Sequence, residues 1–180
     1  METLLMEIRR WMSTNMLKLN DDKTEIIALE GPRRNRVELP PMIIGNEVIP
    51  VSKSVRLLGV DMDSNMTLKG HICCVAKKCF ATLRNMFKIR RCLNETAAKA
   101  MVHTMVTSNI DYCNVLLCGL PQSTLKYLSK IQKISLRFIS QSAKYGHVTP
   151  VLKDLHCLPI EQRIEYEVLV MNSLHNTSRN

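Results

Sequence analysis

Two hydrophobic rhythms divide this chain. From Thr3 to Leu17 the residues Leu4, Leu5, Ile8, Trp11, Met12 and Met16 recur at helical spacing, while Glu7, Arg9, Arg10 and Ser13 fall mostly off that side. This predicts an amphipathic helix. Asn20-Asp21-Asp22 favours a turn, and the short apolar run Thr24 to Leu29 reads as a strand. Gly31 to Arg36 breaks the pattern and reads as a mobile basic loop. Next, Met42-Ile43-Ile44 and Glu47-Val48-Ile49 flank Gly45-Asn46, two residues that tolerate positive φ, so a hairpin is expected. Val55 to Met62 reads as one further strand. Together these segments predict a small antiparallel sheet with one covering helix.

From Leu68 onward the strand signals stop. Within Lys69 to Arg91 the apolar positions Ile72, Ala76, Cys79, Leu83 and Met86 recur at intervals of four and three, as one buried helix face requires. Asn94 is a natural N-cap for a second helix through Ser108, continuing or kinking into Asn109 to Gly119, where Gly119 and Pro121 punctuate the chain. A third helix is expected over Ser123 to Gln141, and Thr149-Pro150 starts a short fourth. Pro159 opens a last helix that fades by Asn176. The fold class is therefore α+β, a small sheet followed by a mostly helical bundle.

Composition and charge sharpen this picture. A chain of 180 residues with 46% hydrophobic and 23% charged residues can bury a real core. The odd count of 7 cysteines, scattered through apolar helical stretches, reads as reduced, buried thiols. No leading signal peptide and no run of about 18 uncharged apolar residues is visible. The expected setting is intracellular, nuclear or cytoplasmic, with no membrane partner. The net charge of +9 is unevenly placed. Residues 1–68 carry 9 Lys and Arg against 10 Asp and Glu, residues 69–145 carry 13 against 2, and residues 146–180 carry 3 against 4. The middle third thus holds the whole excess, and its acids are Glu95 and Asp111. Such a field attracts a polyanion.

At about 100° per residue, Lys77, Arg84, Lys88 and Arg91 fall within an arc of roughly 60°, away from the apolar stripe of their helix. Lys126, Lys130, Lys133 and Arg137 do the same on the third helix. Neither stripe has the acids at four-residue spacing that a self-paired, solvated face shows. The preferred reading is contact with nucleic-acid phosphates; the alternative is an ordinary charged face. Only 4% of the chain is aromatic, which favours backbone contact with a duplex over base stacking along a single strand.

Other constellations are weaker. Asp21-Asp22 and Asp61-x-Asp63 could be cation ligands of a two-metal centre, but both sit where turn residues sit. His71-x-Cys73-Cys74 with Cys79 lies on one expected helix rather than on the paired turns of a zinc site. His103, His147 and His156 have no evident partner, and Cys157 beside His156 does not make a nucleophile–base pair. No metal site is expected.

A longer match joins these pieces. The string from Trp11-Met12 through Asn15, Leu17, Leu19-Asn20 and Lys23-Thr24-Glu25 resembles the W-M-x-x-N-x-L-x-L-N-x-x-K-T-E segment of LINE-type, non-LTR retrotransposon reverse transcriptases. Leu57-Leu58-Gly59-Val60 with Asp63 resembles their L-G-V-x-x-D block, and Asn109 to Asn114 their S-R-L-D-Y-C-N block. Gly119-Leu120-Pro121 and His147 to Ile160 follow in the family's order, the latter resembling H-I-T-P-V-L-x-x-L-H-W-L-P-V with Cys157 in place of Trp.

The resemblance implies the C-terminal part of a polymerase palm at residues 1–68 and a helical thumb or connection at residues 69–180. It implies that Lys23 assists pyrophosphate departure by donating a proton or offsetting charge on the leaving oxygen; the alternative is a surface lysine at a strand start. It makes Leu57, Leu58, Gly59 and Val60 a primer grip, and Lys77, Arg84, Lys88, Arg91, Lys126, Lys130, Lys133 and Arg137 the surface against an RNA/DNA template–primer duplex. The family's Phe/Tyr-x-Asp-Asp pair, which holds Mg²⁺ in the intact enzyme, is expected to belong to another portion of the polymerase, itself an implied partner. This fragment is then expected to bind no cofactor and to be inactive alone. The rival expectations are a non-catalytic nucleic-acid or protein adaptor derived from a retroelement, and an inert pseudogene product.

Overall fold

The computed structural model describes residues 2–20, 23–29, 42–44, 47–142, 152, 153, 155 and 157–177. The expected features at Asp21-Asp22, Gly31 to Arg36, Gly45-Asn46, His147, Thr149-Pro150 and His156 lie outside them. The chain is α+β, with two-stranded sheets first and helices after, and it divides into two units, Met1–Leu68 and Lys69–Asn180.

In the N-terminal unit, α1 (Glu2–Thr14) is the amphipathic helix that the spacing predicts. It ends where Asn15 donates from Nδ2 to the Trp11 carbonyl at 2.8 Å and Met16 turns to φ 58°. Of its apolar stripe, Leu4, Ile8 and Trp11 are exposed and Met12 is half-buried, and the helix lies against β2. Six short strands follow: β1 (Ile26–Ile27), β2 (Met42–Ile44), β3 (Glu47–Ile49), β4 (Val51–Ser52), β5 (Ser54–Leu57) and β6 (Val60–Asp63). They pair as three separate ladders. β2–β3 is the expected antiparallel hairpin, with Ile44 opposite Glu47, whereas β1 pairs with β4 in parallel.

The expected single strand Val55 to Met62 is instead a hairpin, β5–β6, with Leu57 opposite Val60. Its two turn residues, Leu58 at φ 48° and Gly59 at φ 84°, both occupy the left-handed region. Positive φ at both central positions matches the right-handed twist of the flanking strands, so the chain reverses where a uniform apolar run suggested it would continue. After β6, Asp63 organises the next turn. Its carboxylate accepts from the Asn65, Thr67 and Leu68 N–H groups and from Thr67 Oγ1, at 2.7 to 3.1 Å.

The C-terminal unit is built on α2 (Lys69–Ile89), α3 (Glu95–Val102), α4 (Ser108–Asp111), α5 (Gln122–Ser140) and α6 (Ile160–Thr177). The buried residues of α2 are Ile72, Ala76, Cys79, Leu83 and Met86, the positions that the four-and-three rhythm selects. Asn94 caps α3, its Oδ1 accepting from the Ala97 N–H at 2.8 Å. The second helix is not uniform. It widens to a π turn over His103–Thr107, resumes as α4, and breaks where Cys113 takes φ 55°, before the 3₁₀ turn Asn114–Leu117. In α6 the Arg163 N–H donates to the Pro159 carbonyl at 2.9 Å, in keeping with a proline at the helix entry.

α5 is the centre of this unit, packing against α2, α3 and α6 and burying Leu128, Ile131, Leu136 and Phe138. Arg90 locks it to α2. This guanidinium is buried and donates to the Phe138, Ile139 and Leu93 carbonyls at 2.5, 2.7 and 2.8 Å. It also lies 5.3 Å from the Phe138 ring centroid. Two of the carbonyls left without partners at the C-terminal end of α5 are satisfied in this way, by a cation placed where the helix dipole favours one.

Candidate nucleic-acid interface

Side-chain contacts orient the two basic helices. Phe80 of α2 lies beneath the Lys130 ammonium of α5, and Phe87 meets Phe138 edge-on with ring centroids 5.2 Å apart. Ascending α2 therefore means ascending α5, so the two helices run parallel. On α2, the Phe80–Phe87 line faces α5; the core positions lie roughly 70° to one side of it and Lys77, Arg84 and Lys88 roughly 70° to the other. On α5, Lys126, Lys130, Lys133 and Arg137 are turned from the Phe138 side in the opposite sense, away from buried Leu128 and Ile139. For parallel helices, opposite senses lead to the same side. Both stripes thus border one outer face of the α2–α5 pair, and the 5.9 Å from Lys130 Nζ to the Phe80 centroid spans them.

Lys77, Arg84, Lys88, Lys126, Lys130 and Lys133 are exposed. Arg91 is exposed as well, in the 3₁₀ turn Arg90–Cys92 beyond α2. Arg137 departs from the expectation: it is half-buried, and its Nε is enclosed without a hydrogen-bond partner among the described residues. Its stem packs while its siblings reach outward.

The acids of the basic segment are engaged elsewhere. Glu95 pairs with Lys99 at 2.7 Å, and Asp111 accepts from Arg163 Nη1 with both oxygens, at 2.8 and 2.7 Å. The hydrogen bond and charge of Lys99 hold the Glu95 carboxyl below its ordinary pKa. Among the described residues, none of the eight stripe cations lies within 4.0 Å of a carboxylate. From Lys77 to Lys88, and again from Lys126 to Arg137, each rail runs about 16 Å. That length of duplex carries roughly nine phosphate charges on its two strands together, and the two rails over the same length carry seven cations, Arg91 lying beyond Lys88.

At the N-terminal end of the pair, the rails border a cleft of about 480 Å³ floored by Ile72 and Ala76. Phe80 and Tyr127 line it from the two helices, together with Lys69, Lys77 and Cys73. Sequence reading did not foresee this meeting of rings.

The remaining expected site residues belong to the N-terminal unit. Lys23 is exposed, with its N–H donating to the Asn20 carbonyl at 3.2 Å, and it precedes β1, which lies against β5. Of the Leu57–Val60 segment, Val60 is buried while Leu57, Leu58 and Gly59 are exposed, so the segment is the tip of a hairpin. Asp61 lies 3.8 Å from Arg56 Nε, and Asp63 is spent on the turn. Burial pushes the Asp63 carboxyl up, but the hydrogen bonds from Thr67, Leu68 and Asn65 outweigh it and leave its pKa lowered.

The cysteines correct an expectation. Cys79 is buried, and burial raises its thiol pKa, whereas Cys73, Cys74, Cys92, Cys113 and Cys118 are exposed and Cys157 is half-buried. Cys73 and Cys74 fall outside the stripe that buries Cys79. Among the described residues no group of three or more His, Cys, Asp or Glu is placed to hold a metal ion, and no helix is long and apolar enough to cross a membrane. Comparison with protein families, with curated proteins and with solved structures finds no match to this chain.

Proposed function

We propose that this chain is a nucleic-acid-holding piece of a LINE-type reverse transcriptase, with residues 1–68 as palm and residues 69–180 as thumb. The paired α2–α5 rails hold the phosphates of a template–primer duplex, while the catalytic carboxylates and their Mg²⁺ belong to another portion of the polymerase. Lys23 serves the leaving group and the Leu57–Val60 turn the primer end. The site of action is nuclear or cytoplasmic. One observation carries the duplex reading: seven cations, three on α2 and four on α5, border one face with Arg91 in the turn beyond, while Glu95 and Asp111 are committed to Lys99 and Arg163. The quoted motifs support the family reading.

Fluorescence anisotropy with a short RNA–DNA hybrid tests it. Six to ten phosphate contacts predict that affinity falls by roughly 10³-fold or more between about 50 and 200 mM salt. Affinity independent of salt would remove the case for the rails. In the same preparation, extension of a primer with Mg²⁺ would contradict the assignment of the catalytic carboxylates to another portion.

A further inference from the structure

From the cleft at the head of the two rails, we infer a binding site for one unpaired nucleotide at the junction between duplex and single strand. The inference rests on the duplex-holding reading and adds a ligand class and a location to it. Phe80 and Tyr127 converge from two helices on one cleft, and Tyr127 remains 59% exposed, so a ring face is available for stacking. The floor is apolar and the charged lining groups are Lys69 and Lys77, with the Lys130 ammonium over Phe80. A flat, weakly polar body attached to a negative chain matches that lining, and about 480 Å³ is within the range of roughly 300–1,000 Å³ common for small-ligand sites.

Position strengthens the match. The cleft occupies the first turns of two parallel helices, and Arg84, Lys88, Lys133 and Arg137 continue the rails away from it. A duplex along the rails would therefore deliver its frayed or single-stranded end to the rings. The low aromatic content that argues against a long stacking platform is compatible with a site for one base.

The test compares a blunt duplex with the same duplex bearing a short overhang that carries a fluorescent adenine analogue. Stacking on one ring predicts roughly 5- to 100-fold tighter binding of the tailed form, with quenching of the analogue. Tyr127→Ala should abolish both the gain and the quenching while leaving blunt-duplex affinity within about twofold. A readout on the unaltered protein guards against misfolding of the variant: the tailed oligonucleotide, more than the blunt one, should protect Cys73 from alkylation, followed by peptide mapping. Equal affinity for both duplexes without quenching or protection would overturn the nucleotide site and leave the rails standing. Protection by an acidic peptide but not by the overhang would assign the cleft to a protein partner and equally overturn it. Binding of the overhang strand with no affinity for blunt duplex would instead sink the rails, and with them the placement of the cleft at a duplex junction.

Discussion

Arg90 does more for the helical unit than its place in a basic run suggests. It extends the Ile72, Ala76, Cys79, Leu83, Met86 rhythm by a further step of four, so the sequence puts a guanidinium on the core face, where the Phe138 and Ile139 carbonyls receive it. Truncating it removes the donors of these two buried hydrogen bonds. Arg90→Met is expected to lower unfolding free energy by about 2–4 kcal/mol in a denaturant titration, and Arg90→Lys to recover a minor part, because one ammonium cannot reproduce the fork. A loss under about 0.5 kcal/mol would show that the contacts are incidental. Asp63 gives a pH signature. Its folded pKa is lowered from the ordinary 3.8, so its contribution is complete above that value and is lost as pH falls through the lower, folded one. Asp63→Asn should cost about 1 kcal/mol at neutral pH, and the gap to the unaltered protein should close in acid. A pH-independent gap would contradict this.

Among the elements, the long helices were the most legible because burial there follows one period. The α2 core is read directly from the spacing, and the Asn94 cap from residue type. The β5–β6 hairpin was not legible: Leu58-Gly59 lacks the Asn-Gly or Asp-Gly signal of a two-residue turn, and an apolar run on both sides hides the reversal. The break at Cys113 is concealed for the same reason, since cysteine carries no preference for the left-handed region. Leu58 is 82% exposed while it occupies that region, a conformation that Asn tolerates better. Leu58→Asn should therefore raise stability by some tenths of a kcal/mol. If the hairpin tip contacts a primer end, the same change should weaken binding of a recessed-end duplex. A variant that gains stability with unchanged binding would confine Leu58 to a structural role.

For the whole molecule, the segmental charge count located the basic segment, but a count cannot say how cations are shared. Only the fold shows that the two acids of residues 69–145 pair with Lys99 and Arg163 and not with the stripes. The same limit explains the cysteines. Apolar surroundings in sequence suggested burial, whereas helical phase leaves Cys73 and Cys74 outside the α2 core face. It also explains Phe80 and Tyr127, which are 47 positions apart in the sequence and meet only because α2 and α5 run side by side. The central claim is that the α2 and α5 cations hold phosphates as one surface. The most direct measurement is the salt dependence of duplex binding by a variant in which Lys77, Arg84, Lys126 and Lys133 are changed to Gln, beside a control with Lys78 and Lys99 changed to Gln. The control cations are already engaged, by Asn109 and Glu95. The account predicts that the slope of log affinity against log salt becomes shallower by roughly 3 to 4 in the first variant and by less than about 1 in the second. Equal slopes for the first variant and the unaltered chain would contradict it.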